Sequence, residues 1–417
     1  MKITIFMKLK SLLFLTLAAG AMIACSNDDE TGLRPIKAEA TLSFTVGTNN
    51  AITKADGDKV ITGDMKIKSL TLFVFNAGDN AVKGAFDANN YTKGQLAYTA
   101  RQEYGSTAAD SAVISTGMAL QPGNVDILLI ANVDAATYSN VKSESDLTNM
   151  TDLLSKQDTT NLGLTMCSAL IQNVTLAKGT NYYGFYQTHA DANDIAKGNP
   201  VMLYRTVAAV RLNSVALSEV GAKFKMTQVF LANVKDKCSV YSATGNGTVE
   251  LSTAGYLAGA NGAATSILKT VANTETPTLL MSPGKILTGT TWDATPAVLS
   301  HYFYVNENNR GLTSGAANCT LLEVAGYYTK PGAAENTKDL SYYVITVNRP
   351  ADTQNTYTST TGQEGTYINR NTKYIIDLTI TGEGSVIPHQ NNTIANIAVK
   401  IRVADWNVVD MGHQVVD

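Results

Sequence analysis

Charge is scarce in this chain. Asp, Glu, Lys and Arg make up 16% of 417 residues, and the formal net charge is −3. No run of Lys or Arg occurs beyond the extreme N-terminus, which argues against a nucleic-acid surface, because that needs clustered basic side chains. Cysteine is as scarce, with Cys25, Cys167, Cys238 and Cys319 far apart and in no zinc-binding spacing. The last three read as buried free thiols; one disulfide with one free thiol is the alternative in an oxidising compartment. The four histidines, His189, His301, His389 and His413, are isolated from one another. Nucleophile elbows, HExxH and phosphate loops are absent. No catalytic constellation, metal site or cofactor is therefore expected, and the chain reads as something other than an enzyme.

What is present is β-compatible. Glycine is plentiful at 32 residues, Thr and Asn recur throughout, and Trp is limited to 2. That mix suits a β-rich extracellular protein with many turns. The length allows two or three domains. The clearest local pattern is Ala40 to Val46. Ala40, Leu42, Phe44 and Val46 are apolar, and Thr41, Ser43 and Thr45 between them are small and polar. Such period-two alternation marks a half-buried strand. Turn-rich Gly47 to Asn50 follows it, and then the polar stretch Lys54-Ala55-Asp56-Gly57-Asp58.

The N-terminus is a targeting segment. Lys2, Lys8 and Lys10 precede a mostly apolar stretch, Ser11 to Ala24, too short for a permanent membrane span. It ends Met22-Ile23-Ala24-Cys25 and is followed by the acidic Ser26-Asn27-Asp28-Asp29-Glu30. This resembles a bacterial lipoprotein signal with an acidic surface-export tag, which implies lipidation (palmitate) of Cys25. The bulk of Ile23 departs from the usual pattern, and simple cleavage of an ordinary signal peptide is the alternative. No later stretch reads as a hydrophobic anchor.

Along the rest of the chain, strands dominate. Leu70, Leu72 and Val74 share a face in the run Lys66 to Asn76; Leu96 to Glu103 and Ala112 to Leu120 alternate loosely; Ile127 to Ala131 is uniformly apolar and reads as a strand buried on both faces. Leu147 to Leu154 reads as a short helix capped by Asp146 or Thr148. Thr175 to Tyr186 holds a strand ending in the aromatics Tyr182, Tyr183, Phe185 and Tyr186. With Tyr302, Phe303 and Tyr304 these read as core rather than as a carbohydrate platform. Asp87 to Asn90 and Asp191 to Asp194 read as turns rather than calcium loops. Polar, turn-rich His189 to Pro200 reads as a domain boundary, with Met202 to Leu212 opening a second β unit. Further strands are expected at Phe224 to Ala232, His301 to Val305, Cys319 to Tyr328, Leu340 to Val347 and Tyr374 to Ile380. Strand lengths and spacings of this kind predict an all-β chain of sandwich domains. In the last strand Ile397, Val399, Ile401 and Val403 face one way. The phase slips at Ala404-Asp405-Trp406, and Val408, Val409, Val415 and Val416 continue beyond it.

Four segments together resemble the fimbrillins of Bacteroidota, the FimA/Mfa-like subunits of type V pili. They are the lipoprotein start; Ala40 to Val46 followed by Lys54 and by Leu70-Thr71-Leu72-Phe73-Val74-Phe75-Asn76; Leu203-Tyr204-Arg205-Thr206-Val207-Ala208; and Ile368-Asn369-Arg370-Asn371-Thr372-Lys373-Tyr374 with Val403-Ala404-Asp405-Trp406. The resemblance implies two transthyretin-like or Greek-key β-sandwich domains in tandem with few short helices. It divides the chain into a signal (residues 1–24), a propeptide carrying an exchangeable first strand (25–54), two sandwiches (55–198 and 199–403) and a tail (404–417). It also implies an assembly mechanism. A trypsin-like surface protease cuts Lys54–Ala55, the strand holding Ala40, Leu42, Phe44 and Val46 leaves, and a neighbouring copy fills the groove. Arg34 is the nearest arginine, but Pro35 follows it and it precedes the strand. The donor is expected within residues 394–417, in the part carrying Trp406, Val408, Val409, Val415 and Val416. Implied partners are copies of the same chain, other pilus subunits, the protease and the outer membrane through a lipid anchor, with no nucleic acid. The outcome is a surface fimbrium serving adhesion or biofilm formation. The alternatives are a monomeric surface lipoprotein that binds glycan or another ligand through its loops, and a tip or anchor pilin.

Overall fold

The computed structural model describes residues 40–48, 64, 66–78, 92–105, 111–116, 120–157, 162–249, 251–256, 286–288, 302–308, 319–349, 355–357, 364–386 and 397–405. The chain is all-β, as its patterning predicts. Among the described residues, eleven strands precede residue 206: β1 (Ala40–Thr48), β2 (Ser69–Asn76), β3 (Leu96–Glu103), β4 (Ser111–Ser115), β5 (Gly123–Ala131), β6 (Thr151–Leu153), β7 (Met166–Ser168), β8 (Ile171–Leu176), β9 (Gly179–Tyr183), β10 (Asn193–Ile195) and β11 (Val201–Arg205). Ten follow it: β12 (Val207–Leu217), β13 (Lys223–Ala232), β14 (Lys237–Ser239), β15 (Ile286–Thr288), β16 (Phe303–Asn306), β17 (Leu321–Thr329), β18 (Leu340–Thr346), β19 (Asn355–Tyr357), β20 (Thr372–Ile380) and β21 (Ile397–Asp405).

Apart from β6, which pairs with β14, the first group forms one sheet in the order β10-β9-β1-β11-β7-β5-β2-β3, with β4 added on β1 and β8 on β5. One face closes on a core that includes Leu42, Phe44, Leu70, Leu72, Ile127, Leu129 and Leu203. The opposite face of β2 and β5 is covered too, through Phe73, Phe75, Leu128 and Ile130 against Val141, Leu147 and Met150. This explains why β2 is buried at every position and why 127–131 lacks alternation. The second group forms a sandwich. The sheet β16-β12-β20-β21-β19 faces the sheet β15-β13-β17-β18 across a core that includes Val210, Phe224, Val324, Tyr343, Ile376 and Ile401.

Two local readings change. The expected helix at 147–154 is a 3-10 turn at Glu144–Asn149 followed by β6. Its cap is Ser143, whose backbone N–H donates to Asp146 Oδ2 at 2.8 Å. The run 202–212 is two strands: β11 pairs with β1 and β7 in the first sheet, and β12 pairs with β16 and β20 in the second. The chain therefore changes sheet at Thr206, whereas polar residues 189–200 contain β10 inside the first sheet.

That junction is polar and buried. Arg205 and Arg370 are both almost wholly enclosed. Arg205 Nε donates to the Asp64 carbonyl at 3.0 Å, and Asn371 N–H donates to the Val207 carbonyl at 2.9 Å. Arg370 grips Glu307 through two nitrogens, Nε at 3.1 Å and Nη2, which also donates to the Ser239 carbonyl at 2.8 Å. Two of the segments that carry the family resemblance thus meet here, and a charge this deep needs every one of these partners.

Candidate functional site: the slot filled by the first strand

Alternation in 40–46 sends Ala40, Leu42, Phe44 and Val46 to one face, and all four are fully buried. Phe44 lies 5.4 Å from the Tyr183 ring, tilted by 37°. Thr41, Ser43 and Thr45 are half-buried on the other face, where Ser43 Oγ meets Ser115 Oγ at 3.0 Å. Each apolar side chain other than Ala40 is worth about 1.5–3 kcal/mol when removed from water.

Both edges of β1 are paired. Residues 43–47 run antiparallel to β4, with Thr45 opposite Val113. Residues 40–44 run parallel to β9, and residues 46–48 parallel to β11. Because β4 overlaps both of these ladders, β9 and β11 must share the other edge. Beyond β4, the Ala40 and Leu120 backbones exchange hydrogen bonds of 2.9 and 3.2 Å.

Two buried side chains complete the pairing. Asn181 Nδ2 donates to the Thr41 carbonyl at 3.0 Å. Its Oδ1 accepts from the Ala177 N–H and from Asn193 Nδ2 at 2.9 and 2.8 Å. Thr116 Oγ1 accepts from the Leu42 N–H at 3.0 Å, and the Thr116 N–H donates to the Leu42 carbonyl at 2.9 Å. These contacts read backbone rather than side chain, so any extended segment in the same register satisfies them. Sequence reasoning found the strand and missed Asn181 and Thr116, since neither lies in a motif.

The wall beyond β9 is braced by an aromatic cluster. His189 stacks on Tyr182 at 3.7 Å and meets Phe185 edge-on at 5.4 Å. Its Nδ1 pairs with Asp194 Oδ1 at 2.8 Å. These bonds hold the Asp194 carboxyl below its ordinary pKa. Asp194 is therefore engaged by His189, consistent with turn chemistry for 191–194. Tyr183 and Phe303 are packed in cores, as expected of the aromatics, while Tyr186 is exposed.

At the other end of the chain, β21 pairs with β20 through every residue from Ile397 to Asp405 without a register shift. The strand therefore continues through Ala404 and Asp405, where the sequence pattern places the slip. Cys25, Lys54 and Ala55 lie outside the described residues, as do Trp406, Val408, Val409, Val415 and Val416. Cys167, Cys238 and Cys319 are buried thiols outside any disulfide, and burial pushes the Cys167 thiol up to about 11 and that of Cys238 to about 12. Among the described residues no group of His, Cys, Asp and Glu is arranged to hold a metal ion.

The chain matches two family descriptions in succession: "Major fimbrial subunit protein (FimA)" over residues 40–205 and "FimA4 pilin C-terminal domain" over residues 204–406. The handover falls where the chain changes sheet. The major fimbrium subunit FimA type-3 of Porphyromonas gingivalis is 26% identical over 97% of this chain and 98% of its own. A crystallised fimbrilin from Porphyromonas gingivalis W83 has the same fold, with a TM-score of 0.60 at 19% identity over 90% of this chain and 99% of its own. A Parabacteroides distasonis ATCC 8503 structure superposes with a TM-score of 0.63 at 18% identity over 90% and 99%. With both halves matched in order, the chain belongs to the fimbrillins of Bacteroidota, the family of fimbrial subunits.

Proposed function

We propose that this chain is a stalk pilin that polymerises by protease-triggered strand exchange and serves adhesion or biofilm formation. The precursor reaches the outer membrane as a lipoprotein acylated on Cys25. A trypsin-like protease then cuts Lys54–Ala55, and β1 leaves with its propeptide.

The observation that carries this reading is the position of β1. It lies inside its sheet, paired on both edges, with four alternate side chains wholly buried. Its departure leaves two rows of backbone groups and an apolar slot that water satisfies poorly. A strand from a second copy restores ladder and core together. The contact is head-to-tail and need not close on itself, so it propagates into a filament. Beyond the cut, Asp64 holds the new N-terminal segment in place: its carbonyl accepts from Arg205 and its carboxylate accepts from the Tyr304 hydroxyl. Residues after 405 supply the donor, because β21 is fully engaged in its own sheet.

The test is N-terminal sequencing of high-molecular-weight material sheared from intact cells. A start at Ala55 is the expected result. A lipidated Cys25 start on protein that is only monomeric would overturn the stalk reading.

A further inference from the structure

We infer that the donor enters the slot in one register, with Val409, Met411, His413 and Val415 taking the positions of Ala40, Leu42, Phe44 and Val46. This rests on the strand-exchange reading and specifies the segment it uses.

The slot accepts four alternate side chains and buries each of them completely. It also demands that the residues between them tolerate a half-buried surface. Residues before 406 are committed to β21, so the inward set must come from the tail. Two of the tail's inward sets place Asp410 within the slot and a third begins with it, as Trp406-Val408-Asp410-Gly412, Val408-Asp410-Gly412-Gln414 and Asp410-Gly412-Gln414-Val416. The set Met411-His413-Val415-Asp417 ends on a buried carboxylate. The described members of the slot's core are aliphatic, with Tyr98, Tyr104 and Tyr183 packed at its edge, and none of these is a cation that would pair with a carboxylate.

Only two sets avoid an acid, Asn407-Val409-Met411-His413 and Val409-Met411-His413-Val415. The first places Asn407 in the pocket of Ala40 and leaves Val415 outside. The second matches the slot better. Val415 repeats Val46, Met411 replaces Leu42 at similar volume, and His413 sets an aromatic ring against Tyr183 in the place of Phe44. Val409 fills the end of the slot beside Leu120, which pairs with Ala40. The outward residues are then Asp410, Gly412 and Gln414, on the face where Thr41, Ser43 and Thr45 meet solvent. The trace of both strands runs the same way, so the tail keeps the parallel ladders with β9 and β11 and the antiparallel ladder with β4.

Two measurements on fimbriae test this. Gln414 falls at the position of Thr45, opposite Val113, which is 52% exposed. Antiparallel partners lie within disulfide range. Fimbriae built from the double variant Val113→Cys with Gln414→Cys should become a ladder of covalent multimers on oxidation. Val113→Cys combined with Val409→Cys, Met411→Cys or Asp410→Cys should not. A ladder with Val409→Cys or Met411→Cys would overturn the register, and one with Asp410→Cys would overturn the direction. The second measurement needs no variant. Met411 faces inward in this register and outward in every set that buries Asp410. Peroxide should oxidise it at least tenfold more slowly in assembled fimbriae than in unassembled protein. Equal oxidation in fimbriae that begin at Ala55 overturns the register while strand exchange stands. Fimbriae that retain residues 40–48 overturn the exchange itself.

Discussion

β1 and β21 are both nine-residue strands, both alternate, and both lie inside their sheets. The way they are held differs. β21 has one unbroken antiparallel ladder with β20, its partner in adjacent sequence, and a short parallel one with β19. β1 is held by three short ladders and two side-chain contacts, contributed by segments as distant in sequence as β11. Among the described residues, β4 has no ladder in its sheet except the one with β1. β9 is tied to the rest of its sheet through β1, and β10 through β9. Removing β21 would detach only the three-residue β19 from its sheet, whereas removing β1 detaches β4 and the β9–β10 pair at once. Under the proposed strand exchange, a strand in that position needs a replacement when it leaves, and this would join release to polymerisation.

The largest expected effect comes from taking β1 out. Deleting residues 40–48 withdraws roughly 4–9 kcal/mol of burial from Leu42, Phe44 and Val46 together. Amide hydrogen exchange should then speed up in residues 111–115 and 179–195 while residues 372–380 and 397–405 keep their protection. Equal loss of protection in both sheets would break the comparison and make the molecule one cooperative unit.

A smaller effect isolates the side-chain grip on β1. Asn181→Ala leaves the Thr41 carbonyl and the Ala177 N–H without their partner, at a cost of about 1–3 kcal/mol. The loss should appear in urea unfolding of the uncut chain, and β1 should be released faster after proteolysis. If Asn181→Ala slows release instead, the side chain braces the walls and not the strand.

Much of this was legible in the sequence because alternation survives wherever one face meets solvent. Ala40 to Val46 and Ile397 to Ile401 announced their inward faces, and Ile127 to Ala131 announced a strand covered twice. The sheet change at Thr206 was hidden, because β11 and β12 form one apolar run and a single polar residue between them carries no turn signal. The polar stretch 189–200 carries the stronger boundary signal, since β10 within it is a short, half-buried strand. Asn181 and Thr116 were hidden for another reason. Their roles depend on contacts 140 and 74 residues away, which local patterning does not encode. Arg205 and Arg370 stood within resemblance segments, yet their burial and their partners required the fold.

The smallest effect concerns the slot wall and its dependence on pH. The hydrogen bonds from His189 hold the Asp194 carboxyl below its ordinary pKa, so its folded pKa lies under its unfolded one. The unfolded state therefore binds the proton more readily, and the pair contributes stability above the ordinary carboxylate pKa of about 3.9 that is lost as pH falls through the depressed folded value. Asp194→Asn should abolish that contribution and leave the ring stack of His189 on Tyr182 in place. Between pH 7 and pH 3 the parent chain should lose more urea resistance than the variant, with the difference confined to β9 and β10. Since β9 forms a wall of the slot and β21 has no counterpart to this pair among the described residues, acid should loosen the first sheet before the sandwich that follows it. Loss of protection in β20 and β21 ahead of β9 would reverse that order and show that the weaker seam lies elsewhere.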